Sequence, residues 1–317
     1  MTIFLRLVAL TSLMISLNVC IADYRLIAGK EPILPIPNVK ITNQKKVDLG
    51  KKLFHDVRLS ANNTFSCATC HSLENAGVDH LKVAVGILGR KGLRNTPTVY
   101  NSSLHFRQFW DGRVKSLEEQ AAMPITNPLE MGSTWKQVLA KLSKDKDYKK
   151  AFSALYDAGV NKENILDAIA EFERTLLTPN SPFDLYLKGD KTAVNEATKK
   201  GYHLFKSYGC SSCHQGVAVG ANLYEKLGVV IHYKPHDIDP DPGRFKQTMI
   251  DEHRHEFKVP SLRNIELTAP YLHDGSIGTL EEVVSLMGKY QLGRVIPSDD
   301  ISSIVLFLKS LTALPLK

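Results

Sequence analysis

Two short segments of this chain combine residue types that could do redox chemistry. Cys67, Cys70 and His71 stand in CATCH, and Cys210, Cys213 and His214 stand in CSSCH. Two thiols three positions apart, followed at once by an imidazole, fit covalent attachment of a c-type haem: the thiols add to the vinyl groups and the histidine reaches the iron. A redox dithiol or half of a zinc site would also use CxxC, but neither accounts for a histidine directly after both pairs. Cys67, Cys70, Cys210 and Cys213 are therefore assigned as attachment sites for two haem c groups, with His71 and His214 as iron ligands.

Each iron has a second axial position, and the two halves differ in what they offer it. Met287 follows Leu280 by seven residues on a helical apolar pattern and precedes Gly288. A thioether opposite an imidazole raises a haem's reduction potential, which suits electron transfer, although the same spacing also fits a core methionine. In the first half, Phe109-Trp110-Asp111-Gly112-Arg113 is followed by Gln120, ten residues after Trp110, and Glu130, twenty after it. Heterolysis of a peroxide needs a proton moved from one oxygen to the other, and a nearby carboxylate does this as base and then acid. Its environment must bring its pKa toward the working pH. On spacing alone, Glu130 reads more simply as a solvated surface residue.

The elements that must position these groups read as helices. Ser133 or Thr134 caps a pattern carrying Trp135, Val138, Leu139 and Leu142, and Asn161 caps one carrying Ile165, Ile169, Phe172 and Leu176. Thr279-Leu280-Glu281-Glu282 is a capping box opening a helix through Val283, Leu286 and Met287. Strand-like alternation is scarce. Gly50-Lys51-Lys52-Leu53-Phe54 precedes the first haem box as Gly201-Tyr202-His203-Leu204-Phe205 precedes the second. Leu93-Arg94-Asn95, Asp111-Gly112 and Leu117-Glu118-Glu119 are echoed by Leu262-Arg263-Asn264, Asp274-Gly275 and Leu280-Glu281-Glu282. The expected fold is all-α, with two cytochrome c-like haem domains arising by internal duplication. The proline- and glycine-bearing stretch 178–190 marks the join, giving domains at 23–182 and 183–317.

Residues 1–22 carry Arg6, an apolar run and Cys20-Ile21-Ala22, with small residues at −1 and −3 of a cleavage site. This reads as a cleavable signal peptide, and hence as a periplasmic protein; a lipid anchor on Cys20 is the competing reading. No later segment approaches ~18 consecutive apolar residues, so no transmembrane segment is expected. The formal charge of +7 falls to +6 without Arg6. Four haem propionates would bring it to roughly +2, which fits docking to an acidic redox partner and gives no ground for nucleic-acid binding.

Together CATCH, GLRNTPTVYN (92–101), FWDGR (109–113), Glu130-Met131, CSSCH, FKVPSLRN (257–264), YLHDGS (271–276) and LMGKYQLGR (286–294) resemble the bacterial di-haem cytochrome c peroxidase family, from about residue 45 to 308. The resemblance implies a peroxidatic haem on the first box and an electron-donating haem on the second, with Met287 opposite His214. It implies that Glu130 is the acid-base carboxylate, Gln120 its polar neighbour, and Trp110 the residue between the haems, a role hard to separate from core packing. It further implies a calcium ion at the domain interface held by Asn95, Thr268 and Pro270, to which side-chain and carbonyl oxygens are suited. Hydrogen peroxide as substrate, a small cytochrome c or cupredoxin as donor, and a calcium-dependent homodimer complete the expectation. A MauG-like oxidase of a protein substrate is the alternative within the superfamily, though such enzymes place a tyrosine opposite the second haem. A non-catalytic di-haem carrier is the alternative outside it, with Met123 or Met131 as a further ligand.

One position departs from the family pattern. Resting members commonly place a histidine in the glycine-rich loop opposite the proximal histidine; counted back from Arg94-Asn95, that position is Ile87. Isoleucine cannot bind iron, so an open first site is expected, unless His80 or His105 fills it. The acidic loop DIDPDPG (237–243) reads as turns, and His232, His236, His253 and His255 share no helical face that would gather them on a metal.

Overall fold

The computed structural model describes residues 31–233 and 241–313. The signal segment 1–22 with Cys20, and His236 with most of the acidic loop, lie outside them. In the first half, α1 (Gln44–Phe54), α2 (Cys67–Cys70), α3 (Leu117–Thr126), α4 (Trp135–Leu142), α5 (Lys146–Ser153) and α6 (Lys162–Arg174) follow one another. The second half contains α7 (Pro182–Leu187), α8 (Glu196–Ser207), α9 (Phe245–Thr248), α10 (Leu280–Leu286) and α11 (Ser298–Lys309). Helix starts lie where capping chemistry puts them. Thr134 and Gln137 form a capping box on α4, Thr279 and Glu282 another on α10, and the Asn161 side chain accepts from Asn164 N on α6. Among the described residues one short sheet departs from the all-α expectation: β1 (Tyr224–Lys226) pairs antiparallel with β2 (Glu256–Lys258). Three-residue strands are too short to show alternation in sequence.

Each half is built on a helix pair that crosses at a glycine. A Cβ on Gly50 of α1 would sit 1.9 Å from the Ala168 carbonyl oxygen of α6, and one on Gly201 of α8 would sit 1.8 Å from that of Ser303 on α11. Any side chain at either position would force the helices apart, which explains why both haem boxes are preceded by glycine at the same distance from phenylalanine. Asn101 and Asn264, one from each half, both adopt left-handed backbone at φ 62° and 58°. Their side-chain amides converge on Thr178 Oγ1 at 2.9 and 3.0 Å.

Thr178 thus lies where the halves meet, but the stretch beyond it is not a loop. Ser181 caps α7, and Phe183 is buried in the second-half core. Residues near the start of the described chain pack against the second half. Ile33 is fully buried in the second-half core, Leu34 N donates to Gly216 O at 3.3 Å, and Arg263 Nη2 donates to Leu34 O at 2.7 Å. An irregular segment of this kind carries no periodicity to announce its partner.

Arg263 also pairs with Asp184 at 2.7 Å, with neither side chain exposed. Removing one partner leaves the other charge buried alone. Asp184→Ala should therefore cost about 3–5 kcal/mol of unfolding free energy, read from denaturant titration of the holoprotein; a loss near that of an exposed pair, under about 1 kcal/mol, would contradict this.

Candidate functional site

Cys67, Cys70 and His71 line a cavity of about 500 Å³ between α3, the glycine-rich loop 84–99 and the segment 241–247 of the second half. Ser66 Oγ and Thr69 close a capping box on α2, fixing both thiols on one turn. Burial pushes both thiols up, that of Cys70 to about 12, so they are neutral here. His71 is tied by Nδ1 to Gly77 O at 3.1 Å, which leaves Nε2 as its free nitrogen. Burial holds the ring below its usual pKa and so neutral, as a ligand must be. Two neutral thiols, an oriented imidazole and a largely apolar cavity fit a covalently held haem. Among the described residues, His71 is also the only histidine lining it.

Gln120, Glu130, Trp110 and Arg113 line the same cavity, so sequence-distant residues of three motifs are brought together. Glu130 lies in the turn that follows α3, and its Oε1 accepts from Asn127 Nδ2 at 2.6 Å. Burial raises its pKa, and the Asn127 hydrogen bond and the Arg113 charge offset this only in part. Arg113 is held by Asp111 at 2.9 Å and lies over the Phe109 ring. The glycine-rich loop lies directly behind Glu130. Ile87 N donates to Glu130 O at 2.8 Å, and a Cβ on Gly86 would sit 2.1 Å from Leu129 O. Ile87 is 5% exposed and is not a lining residue; its Cδ1 fills the space beside Gly132, where a Cβ would meet it at 2.5 Å. The loop is thereby anchored with the Ile87 side chain turned out of the cavity.

The histidines weighed as alternative ligands stand elsewhere. His80 is exposed and donates from Nδ1 to Ala269 O at 3.0 Å. His105 faces Lys258, and neither lines the cavity. Met123 and Met131 do line it; Met131 also packs in the first-half core. His253 and His255 bond to Thr248 Oγ1 and Asp241 O respectively. No cluster of three or more metal-binding side chains of His, Cys, Asp or Glu occurs among the described residues.

Trp110 marks the seam between the halves. Its Nε1 donates to Asn95 O at 3.0 Å, its carbonyl accepts from Lys258 N at 2.7 Å, and its ring meets His273 edge-on at 6.5 Å. Arg94 bridges the same seam: it pairs with Asp111 at 2.7 Å and grips Asp241 with two bonds at 2.6 and 2.9 Å. Burial alone would raise the Asp241 carboxyl, but Arg94 outweighs it and holds the group below its usual range. Asn95 Nδ2 donates to Leu81 O at 2.9 Å, and Asn95 N donates to His273 O at 2.8 Å. His80 bonding to Ala269 lays this first-half segment against the stretch containing Thr268 and Pro270.

In the second half, His214 is half-buried, and desolvation of its ring pushes it down to about 4. Its Nδ1 lies 3.4 Å from Val219 O, again leaving Nε2 free. Met287 is half-buried at the junction where α10 passes into a π-helical turn, Met287–Gln291. Such turns interrupt the regular ladder and often mark functional positions.

Sequence reasoning passed over Glu173. It is 4% exposed, lines the cavity beside Cys67, and its Oε2 has no hydrogen-bond partner. The signal was present: four residues after Ile169, it falls on the buried face of α6. Burial, and then the nearby Glu118, push its carboxyl up to about 8. The folded chain keeps a proton that an unfolded glutamate releases near about 4.3. Stability should therefore fall as pH rises between those values. Glu173→Gln should remove that slope, so the variant gains on the wild type from about pH 5 to about pH 8 in thermal unfolding; parallel pH profiles would show that the carboxyl is already ionised.

The chain was compared with known proteins. A family model described as di-haem cytochrome c peroxidase matches residues 44–192. Cytochrome c551 peroxidase of Nitrosomonas europaea is 45% identical over 309 residues, covering 97% of this chain and 92% of the relative. Cytochrome c peroxidase Ccp of Escherichia coli is 47% identical over 283 residues; the match covers 89% of this chain but 61% of that longer protein. A crystal structure of a MauG-like protein associated with microbial copper homeostasis superimposes with a TM-score of 0.78 at 28% identity, covering 88% of this chain and 93% of the other.

Proposed function

The chain belongs to the di-haem cytochrome c peroxidase family, and from that premise we propose that it reduces hydrogen peroxide to two waters with electrons from a small cytochrome c or cupredoxin. The observation that carries this reading is the convergence of Glu130, Gln120 and Arg113 on the cavity lined by His71 and, among the described residues, by no other histidine. Cys67, Cys70 and His71 would hold a haem whose iron would supply the electrons to peroxide. The chain's own part is to bind, orient and move a proton. Glu130 takes the proton from one peroxide oxygen and returns it to the other, so that the departing oxygen leaves as water. Asn127 Nδ2 orients the Glu130 carboxylate at 2.6 Å, and burial keeps it basic enough to accept. Gln120 is a further polar group lining the site, and Trp110 lies where an electron passing between the halves would cross.

Several finer assignments belong to the same proposal. The matched glycine contacts, the paired asparagines and the repeated haem boxes support descent from one duplicated cytochrome c unit. Asn95, Thr268 and Pro270 supply oxygens to a calcium ion at the seam, residues 1–22 direct export to the periplasm, and the enzyme is a homodimer. Among the described residues no helix is long and apolar enough to cross a membrane. The MauG-like reading is disfavoured by the higher identity to peroxidases and by Met287 in place of a tyrosine.

Mixing the holoprotein with hydrogen peroxide and a reduced cytochrome c should consume two equivalents of donor per peroxide. Oxidation no faster than without the protein would remove the proposal and leave an electron carrier.

A further inference from the structure

We propose that Lys258 and His105 form a carboxylate-binding site at the seam, occupied by a propionate of the haem attached to Cys210 and Cys213. The inference rests on the two-haem reading. Lys258 ends β2 and is 7% exposed. Its ammonium donates to His105 Nδ1 at 3.0 Å and meets no carboxylate among the described residues. Because Nδ1 accepts that bond, a neutral His105 carries its proton on Nε2. Burial, reinforced by the Lys258 charge, holds His105 well below its usual pKa, so it is neutral. Nε2 is itself buried and has no partner. One imidazole N–H and the remaining ammonium hydrogens are therefore left without an acceptor beside a buried positive charge. Native interiors seldom leave donors in that condition, and an uncompensated buried charge is destabilising. The site calls for an anion with acceptor oxygens.

Its position identifies the source. Lys258 and His105 lie outside the first cavity. They sit on the two stretches that frame His214. Phe106 N donates to Ala221 O at 3.1 Å, and Ala221 N donates to Val259 O at 2.9 Å. A Cβ on Gly220 would meet Pro260 O at 2.3 Å and His214 Nδ1 at 3.2 Å. Since no carboxylate of the described chain reaches Lys258, a propionate of the second haem is the carboxylate placed to do so. Pairing it with an ammonium removes negative charge near the iron and so favours the reduced state, beside Trp110, where electrons leave for the first half.

The test is redox potentiometry of holoprotein whose two-haem content has been measured, following each haem separately. In Lys258→Met the potential of the second haem should fall while that of the first stays put, and the propionate bending band of the second haem should move in resonance Raman. His105→Leu should shift the potential in the same direction by less, and Lys258→Arg should restore most of it. An unchanged second-haem potential in Lys258→Met, or a shift confined to the first haem, would overturn the site. Should Lys258→Met not retain both haems, Lys258→Gln, which keeps donors but not the charge, decides in the same way. A wild-type protein carrying one haem would instead overturn the premise.

Discussion

Replacing Glu130 with glutamine should lower kcat/KM for hydrogen peroxide by about 10²–10⁴-fold, the usual contribution of a positioned acid-base group, while both haems remain attached. The side chain lines the cavity, accepts from Asn127, and is kept above its ordinary pKa by burial. Glutamine preserves the shape and the hydrogen-bonding reach but cannot take up a proton. The pH profile adds a second signature. A carboxyl with a raised pKa is ionised only above that value, so wild-type activity should be lost as pH falls through it, and the residual activity of Glu130→Gln should lack that limb. An unchanged rate in the variant would remove Glu130 from the mechanism.

On the proposal of an open first site, Ile87→His should convert an enzyme active without prior reduction into one that must first be reduced. Ile87 fills the space beside Gly132, and its N–H is fixed to Glu130 O. Histidine would remove the apolar anchor and supply an imidazole to a loop already lining the cavity through Val85 and Gly86. If the imidazole occupies the site about 99% of the time, the competent fraction and the apparent activity fall about 100-fold, and prior reduction with donor should restore them. Ile87→Ala separates the two effects, since it loosens the loop without adding a ligand. It should stay active without reduction. Equal loss in both variants would mean that loop position, rather than iron ligation, controls the site.

What could be read from the sequence was local chemistry. The haem boxes and the caps at Thr134, Asn161 and Thr279 are each a consequence of a few neighbouring residues. The grouping of Gln120, Glu130 and Trp110 was reached through the family resemblance, because spacing along a chain does not say which turns face one cavity. The rest depended on long-range closure. Nothing near Ile33 announces that it packs against the second half, and Arg94 and Asp241 are separated by 147 positions. The seam pair His105 and Lys258 is separated by 153. Glu173 could have been found, as a carboxylate on an otherwise apolar helical face.

The central claim is that the first haem has an open position because Ile87 stands where the family resemblance implies a ligand. Electron paramagnetic resonance of the fully oxidised holoprotein tests it most directly. The account predicts a high-spin ferric signal from the haem on His71 beside a low-spin signal from the haem on His214 and Met287. Two low-spin signals would contradict it and show that another side chain, Met123 or Met131 among those lining the cavity, fills the first site.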